Sequence, residues 1–284
     1  MINVLIGISG SGKSTYTQNK LHVSSDEIRK ELYTETDQTH NAEVFRTYHA
    51  RIASAVAQDE DIWCDATNLT IKDRRHYFTY GVEVNAYVFL ISPQLACQRD
   101  YCRHRSVGAD VIYKQIKRFQ VPTYDEGFTN IHFIYNDYPR MPFDINTYAK
   151  QIAGFAQTGR YHTEDLLEHS SMAYSLFCNK YNQKHLRQAA FIHDIGKLYT
   201  RTKNSTGYHF YNHAQVGTYM FLAMYQHDLS HDELLDVALL INFHDETLHP
   251  GFEKRFSFLS DGHMQLLLNF SECDRLACRS ESEE

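Results

Sequence analysis

The sequence predicts an α/β domain, a parallel sheet with helices on both faces, followed by a helical domain, in a chain of 284 residues. Three observations carry that prediction. The opening run MINVLIGISGSGKST passes directly from a short apolar strand through a glycine-rich loop into a helix start. Strand-like stretches then alternate with helical ones, as the crossovers of a parallel sheet require. Composition also changes along the chain. Residues 1–150 carry 17 basic and 18 acidic residues, net −1, whereas residues 151–284 carry 11 and 17, net −6, and hold eleven of the 17 histidines.

The strands are read, in order, at INVLI (2–6), near LHVS (21–24), at DIWC (61–64), VEVNAYVFLI (82–91) and NIHFIY (130–135). In such a sheet ligands sit at the carboxyl ends of the strands. Two prolines and a QTG break between residues 138 and 160 place the boundary there. The expected organisation is a first domain over 1–145, a linker over 146–160 and a second domain over 161–284. No apolar run approaches the ~20 residues of a membrane span, and INVLI lacks the basic flank of a signal peptide, so a cytoplasmic protein with no membrane partner is expected. Six cysteines form no C-x-x-C pair and read as reduced, mostly core residues.

Residues 7–14 fit G-x-x-x-x-G-K-[ST]. Gly7, Gly10 and Gly12 permit backbone turns that a side chain would block, so successive NH groups of Ser9, Ser11 and their neighbours converge on a phosphate, with Thr15 opening the helix. Lys13 would reach the β and γ phosphates of ATP, and the Ser14 hydroxyl would ligate Mg²⁺. Motors, switches and kinases share this loop. Asp65 is followed by Ala66 rather than a second acid, and no N-K-x-D element is present, which favours a kinase.

A kinase needs a base for its acceptor hydroxyl. Asp26, just past the second strand, is the candidate, and Arg29, three residues on, shares its helix face and would grip a neighbouring phosphate. A capping box of Ser24 and Glu27 explains an acid in that first turn equally well, though not Arg29. Residues 99–118 carry six basic residues against two acids. The run reads either as a solvated helix face or as a lid whose Arg99 and Arg103 offset charge in the transition state.

GSGKST, SSDEIR, DATNLTIKDRR, QRDYCR and VPTYDEGF together resemble the polynucleotide 5′-hydroxyl kinase domain of the phage polynucleotide kinase-phosphatase family, over roughly residues 1–138. The resemblance implies Asp26 as general base, Arg29 on the phosphate 3′ to the reacting nucleoside, Thr67 and Arg75 along the acceptor path, and Arg99 and Arg103 as the lid. The D-x-D-x-T phosphatase motif of that family is absent.

The second half contains His193-Asp194 in the apolar stretch RQAAFIHDIGKLYTR, with His169 and Asp274 at helical spacing among apolar neighbours. Buried imidazole and carboxylate on several helices ask for a metal. The set resembles the HD phosphohydrolase superfamily, an all-α fold whose H…HD…D ligands hold a divalent ion. The resemblance implies His169, His193, Asp194 and Asp274 as ligands, His213 and His244 as the extra ligands of two-metal members, Asp194 as bridge and Lys197 as phosphate neutraliser. Nitrogen and oxygen ligation suits one or two ions of Mn, Fe, Co, Ni or Zn.

A P-loop kinase domain followed by an all-α HD domain suits a bifunctional end-healing enzyme. It would phosphorylate 5′-hydroxyl ends of RNA or DNA and remove 3′-phosphate or 2′,3′-cyclic phosphate, with RNA favoured and a nucleic-acid ligase as functional partner. A small-molecule kinase fused to a nucleotidase, and a non-catalytic nucleotide sensor, remain as alternatives.

Overall fold

A computed structural model describes residues 1–34, 39–137, 139–157 and 164–278. The chain divides into two compact units, Met1–Gln115 with Pro122–Tyr138 and Ile116–Val121 with Pro139–Glu284.

The first unit runs β1 (Ile2–Ile6), α1 (Lys13–Thr17), β2 (His22–Ser24), α2 (Ser25–Leu32), α3 (Asn41–Ala57), β3 (Ile62–Asp65), α4 (Ile71–Arg74), β4 (Val84–Leu90), α5 (Pro93–Tyr101), α6 (Ala109–Ile116) and β5 (Asn130–Tyr135). The strands form one parallel sheet in the order β2-β3-β1-β4-β5. Every residue of β1 is buried, as expected of a central strand covered on both faces. Helix α3 buries Val44, Tyr48, Ile52 and Ala55, one stripe at helical spacing. Each large side chain so buried contributes about 1.5–3 kcal/mol. The register aligns Leu5 with Asp65 and Asp65 with Ser24, so β1, β3 and β2 end level with one another. The loop after β1 and the helix after β2 therefore emerge on one edge.

The second unit is helical. It comprises β6 (Met141–Pro142), α7 (Ile145–Ile152), α8 (Leu166–Cys178), α9 (Lys184–Ile192), α10 (Lys197–Thr200), β7 (Thr202–Asn204), β8 (Gly207–His209), α11 (His213–Met224), β9 (Tyr225–Gln226), α12 (His231–Phe243), α13 (Phe252–Arg255) and α14 (Asp261–Ala277). Helices α11 and α12 are buried along most of their length, which makes them the centre of the unit. Capping boxes at Asp165/Glu168 and Ser230/Glu233 fix the starts of α8 and α12. The only strands here are the β6–β9 pair and the β7–β8 hairpin, among the described residues.

Much of the stretch expected as a linker, 146–160, is helix α7, with Tyr148 and Ile152 buried against its own unit. Residues 158–160 of that stretch, residues 161–163 and the acidic end over 280–284 lie outside the described residues. All six cysteines are free thiols. No helix of the described residues is long and apolar enough to cross a membrane.

Candidate active sites

The loop after β1 is set by backbone that only glycine adopts readily. Gly10 and Gly12 have φ of 83° and 96°, and a Cβ on Gly10 would stand 2.5 Å from the Ala96 carbonyl oxygen. Gly7 donates to the Thr67 carbonyl at 3.0 Å, and Gln115 clamps Ser9, accepting from its amide at 2.7 Å and donating to its hydroxyl at 3.0 Å. Asn136 donates to the Ser11 carbonyl at 2.5 Å, and Arg99 donates to the Asn136 carbonyl at 3.2 Å. Lys13 is buried, its ammonium donating to the carbonyls of Gly7 and Ile8 at 2.8 and 2.9 Å. Burial pulls its pKa down to about 8 against the opposing pull of Asp65. Thr15 is exposed.

Ser14 donates its hydroxyl to Asp65 at 2.7 Å. The sequence marked Asp65 only as an acid not followed by a second one, and its place beside the loop follows from the Leu5–Asp65 register. The pair offers oxygen ligands of the kind a hard cation takes. Asn68, at φ 48°, anchors the next turn by donating to the Leu5 carbonyl at 2.8 Å and accepting from Tyr77 at 3.0 Å.

Asp26 stands exposed at the start of α2, 3.9 Å from the Arg105 guanidinium. Ser24 caps the helix through the Glu27 amide, while the Glu27 carboxylate pairs with His22 rather than closing a capping box. Arg29 is buried and donates to Asn41 at 2.8 Å. A three-residue step falls about 60° short of a full turn, so the shared face of Asp26 and Arg29 spans solvent and interior. Arg75 is exposed, whereas its neighbour Arg74 is fully buried and pairs with Glu126 through two hydrogen bonds of 2.9 and 2.7 Å. That pair ties the DATNLTIKDRR and VPTYDEGF stretches together. Arg99 and Arg103 are exposed. The loop beyond them is held by buried Asp100, which accepts from Ser106 and from the amides of Val107 and Gly108. Burial pushes the Asp100 carboxyl up, but these donors outweigh it and hold it below its ordinary value.

In the second unit the six expected ligands come together from separate helices. His169 lies on α8, His193 caps the end of α9, His213 opens α11, His244 caps the end of α12 and Asp274 lies on α14. Asp194 divides them. Its Oδ2 faces His193 at 3.2 Å and His169 at 3.5 Å, while its Oδ1 faces His213 at 3.0 Å and His244 at 3.7 Å. Asp274 Oδ1 completes the first group, 3.0 Å from His169 and 3.3 Å from His193. Gly196 makes the arrangement possible, since a Cβ there would lie 1.9 Å from the His213 carbonyl oxygen.

The imidazole chemistry tests whether a metal fits. His193, His213 and His244 each place Nδ1 2.9–3.0 Å from the carbonyl three residues earlier, those of Ala190, Phe210 and Ile241. A carbonyl only accepts, so Nδ1 carries a proton in each ring and Nε2 is the nitrogen turned toward the centre. The Nε2 atoms of His213 and His244 face each other at 3.1 Å, and those of His169 and His193 at 3.3 Å. Two nitrogens held at ~2.1 Å by one tetrahedral ion stand about 3.4 Å apart. Among the described residues, Asp274 Oδ1 is buried without a hydrogen bond. Both groups, His169/His193/Asp194 and Asp194/His213/His244, are therefore built to hold a cation. Burial pushes His193 down, but the Asp194 and Asp274 carboxylates outweigh it and raise the ring to about 10, the same field that favours a metal ion.

Lys197 lies 2.6 Å from Asp194 Oδ2 and donates to Gln157 at 2.7 Å. Three further polar groups escape motif reading. Asp245 stands 3.2 Å from His213 and 3.4 Å from His244, buried Glu164 stands 3.7 Å from His169 Nδ1, and Gln157 is itself buried. Asp245 follows His244 as Asp194 follows His193, but the same His-Asp step also stands at 227–228 and 231–232, so the sequence alone did not single it out.

Comparison with known proteins finds similarity to the following. Residues 2–122 match the AAA domain family. Over 144 residues, 46% of this chain and 32% of the relative, the chain is 26% identical to a bifunctional polynucleotide phosphatase/kinase of Schizosaccharomyces pombe, so it spans about a third of that relative's length. A gluconokinase structure from Sinorhizobium meliloti covers 48% of this chain and 83% of its own at 14% identity, with a TM-score of 0.35. The chain has a P-loop, kinase-like nucleotide-binding domain ahead of a helical domain with two His/Asp clusters that could hold metal ions.

Proposed function

We propose that the protein heals broken nucleic-acid ends, with RNA the principal substrate. The first unit would transfer the γ phosphate of ATP to a 5′-hydroxyl, and the second would remove a 3′-phosphate or a 2′,3′-cyclic phosphate. A strand so treated carries the two ends that a nucleic-acid ligase joins. The observation that carries this reading is the pairing, in one chain, of a kinase-type phosphate loop with a centre whose single carboxylate faces two histidine groups.

At the kinase site the backbone amides of residues 7–15 would cradle the triphosphate, with Lys13 leaving its carbonyls for the phosphates. Ser14 and Asp65 would hold Mg²⁺. Asp26, exposed on the edge where the loop emerges, would take the proton of the attacking hydroxyl. Arg29 would hold the adjacent phosphate, and Thr67 and Arg75 would line the approach. Arg99 and Arg103, with Arg105 beside Asp26, would offset the charge that develops on transfer.

At the second site His169, His193, Asp194 and Asp274 would hold one divalent ion, and Asp194, His213 and His244 a second. Such ions supply Lewis-acid polarisation of a phosphate and a more acidic water. The chain's own part is orientation. Backbone carbonyls fix three imidazoles in one tautomer, and the Lys197 ammonium neutralises charge on the departing phosphate.

The test is incubation with ATP, a divalent metal and an RNA bearing a 5′-hydroxyl and a 2′,3′-cyclic phosphate, followed by separation of all end forms. Appearance of 5′-phosphate and 3′-hydroxyl ends is expected. Ends left untouched beside efficient phosphorylation of free nucleosides would overturn it.

A further inference from the structure

A chain of cations and aromatic rings leads away from the metal-binding centre. Lys197, in contact with Asp194, has its ammonium 5.6 Å from the Phe210 ring. Phe210 lies 6.1 Å from Phe155, and the Arg201 guanidinium stands 4.6 Å from Phe155 and 4.7 Å from Tyr208. Lys203, paired with Tyr208 across the β7–β8 hairpin, ends the series with its ammonium 5.4 Å from that ring. Exposure rises along it, from buried Lys197 through half-buried rings to exposed Arg201 and Lys203.

Two features mark this strip as more than a solvated hairpin. Among the described residues no carboxylate lies within ion-pair distance of Arg201 or Lys203, and no acidic residue occurs between Asp194 and Asp228 in a half of net charge −6. An aromatic face orients a cation without neutralising it, unlike a carboxylate partner. The charge stays available to a phosphate, and the rings beside it offer stacking surface for bases. The strip also joins the centre without a break, so an end phosphate held there places the preceding phosphodiesters along it.

We propose that Arg201 and Lys203, steadied by Phe155, Tyr208 and Phe210, form the track for the last nucleotides of a single strand whose end phosphate is hydrolysed at the metal-binding centre. The inference rests on the hydrolase half of the function proposed above and names the residues by which that site would take a polynucleotide rather than a free nucleotide.

The test uses the full-length metal-loaded protein, its R201A/K203A variant and its charge-conserving R201K/K203R variant. Substrates are a fluorescent ten-nucleotide RNA 3′-phosphate and the matching nucleoside 3′-phosphate, and binding is followed by anisotropy alongside turnover. For R201A/K203A the ratio of oligonucleotide KM to mononucleotide KM is expected to rise about tenfold. Two lost phosphate contacts should flatten the slope of log K against log salt by about 1.4. R201K/K203R should restore most of both. Equal ratios and slopes in wild type and R201A/K203A overturn the track, whatever the turnover. A wild type that binds the RNA through these residues but never hydrolyses it supports the track while sinking the hydrolase reading. One that processes only the mononucleotide sinks both.

Discussion

Asp26 and Asp65 are both acids at the ends of neighbouring strands, yet their surroundings differ. Asp65 accepts a hydrogen bond from Ser14 and is buried, whereas Asp26 is exposed with an arginine 3.9 Å away. Replacing Asp26 by Asn should leave ATP affinity nearly intact and lower kinase turnover by roughly 10²- to 10⁴-fold, the usual loss for a general base. Steady-state kinetics decide, and wild-type turnover would reduce Asp26 to a helix-terminus acid. The two aspartates also mark what a sequence discloses. The phosphate loop was legible because its residues are contiguous and each glycine answers a local steric demand. The place of Asp65 was not, since it depends on a register between strands about sixty positions apart. Arg74 and Glu126 were hidden for the same reason, their meaning lying in a contact across 52 residues.

The five strands read from the sequence all form in one parallel sheet, with β1 fully and β4 largely buried at its centre and β5 partly exposed at its edge. Helix α7 was not read from the sequence because Pro139 and Pro142 stand just before it and its eight residues are few, while its burial of Tyr148 and Ile152 shows only in three dimensions. Close packing between elements yields a sharp prediction at Gly196. Alanine there would force its Cβ against the His213 carbonyl and push α11 away from Asp194. Metal content measured by elemental analysis should fall, and a variant that binds metal as well as the wild type would show that the helices can yield. The β6–β9 ribbon offers a second. His227 donates to the Phe221 carbonyl at 2.8 Å, and burial, aided by Arg140, pulls its pKa to about 4. The unfolded chain, near the ordinary 6.5, therefore binds a proton that the folded chain refuses. The stability held by the neutral ring is complete above pH 6.5 and is lost as pH falls toward 4, by at most about 3 kcal/mol. Melts of wild type and His227→Gln across that window should converge with acid if this holds, and parallel curves would refute it.

For the whole chain, the two proposed activities use unlike chemistry, one a triphosphate and the other water. Lys13→Ala should abolish 5′ phosphorylation and spare 3′ hydrolysis, and replacing His193 and Asp194 by alanine should do the reverse. A thermal melt must accompany the second variant, since loss of a metal can unfold a domain. If the folded double variant still cleared 3′ ends, the hydrolytic centre would lie elsewhere. His169, His193, Asp194 and Asp274 stood out in the sequence as polar residues among apolar neighbours, whereas His213, His244 and the sharing of Asp194 were expected only from the resemblance, and the packing of the helices brings all six side chains together. That sharing makes the centre a gauge. Its ligands arrive from α8, α9, α11, α12 and α14, and a slip of one residue in any of them turns a ligand by about 100° and carries it about 1.5 Å along the axis. Coordination tolerates only about 0.2 Å. Metal stoichiometry thus reads out, as a single number from a denatured-and-refolded sample, whether all five helices have returned to their registers.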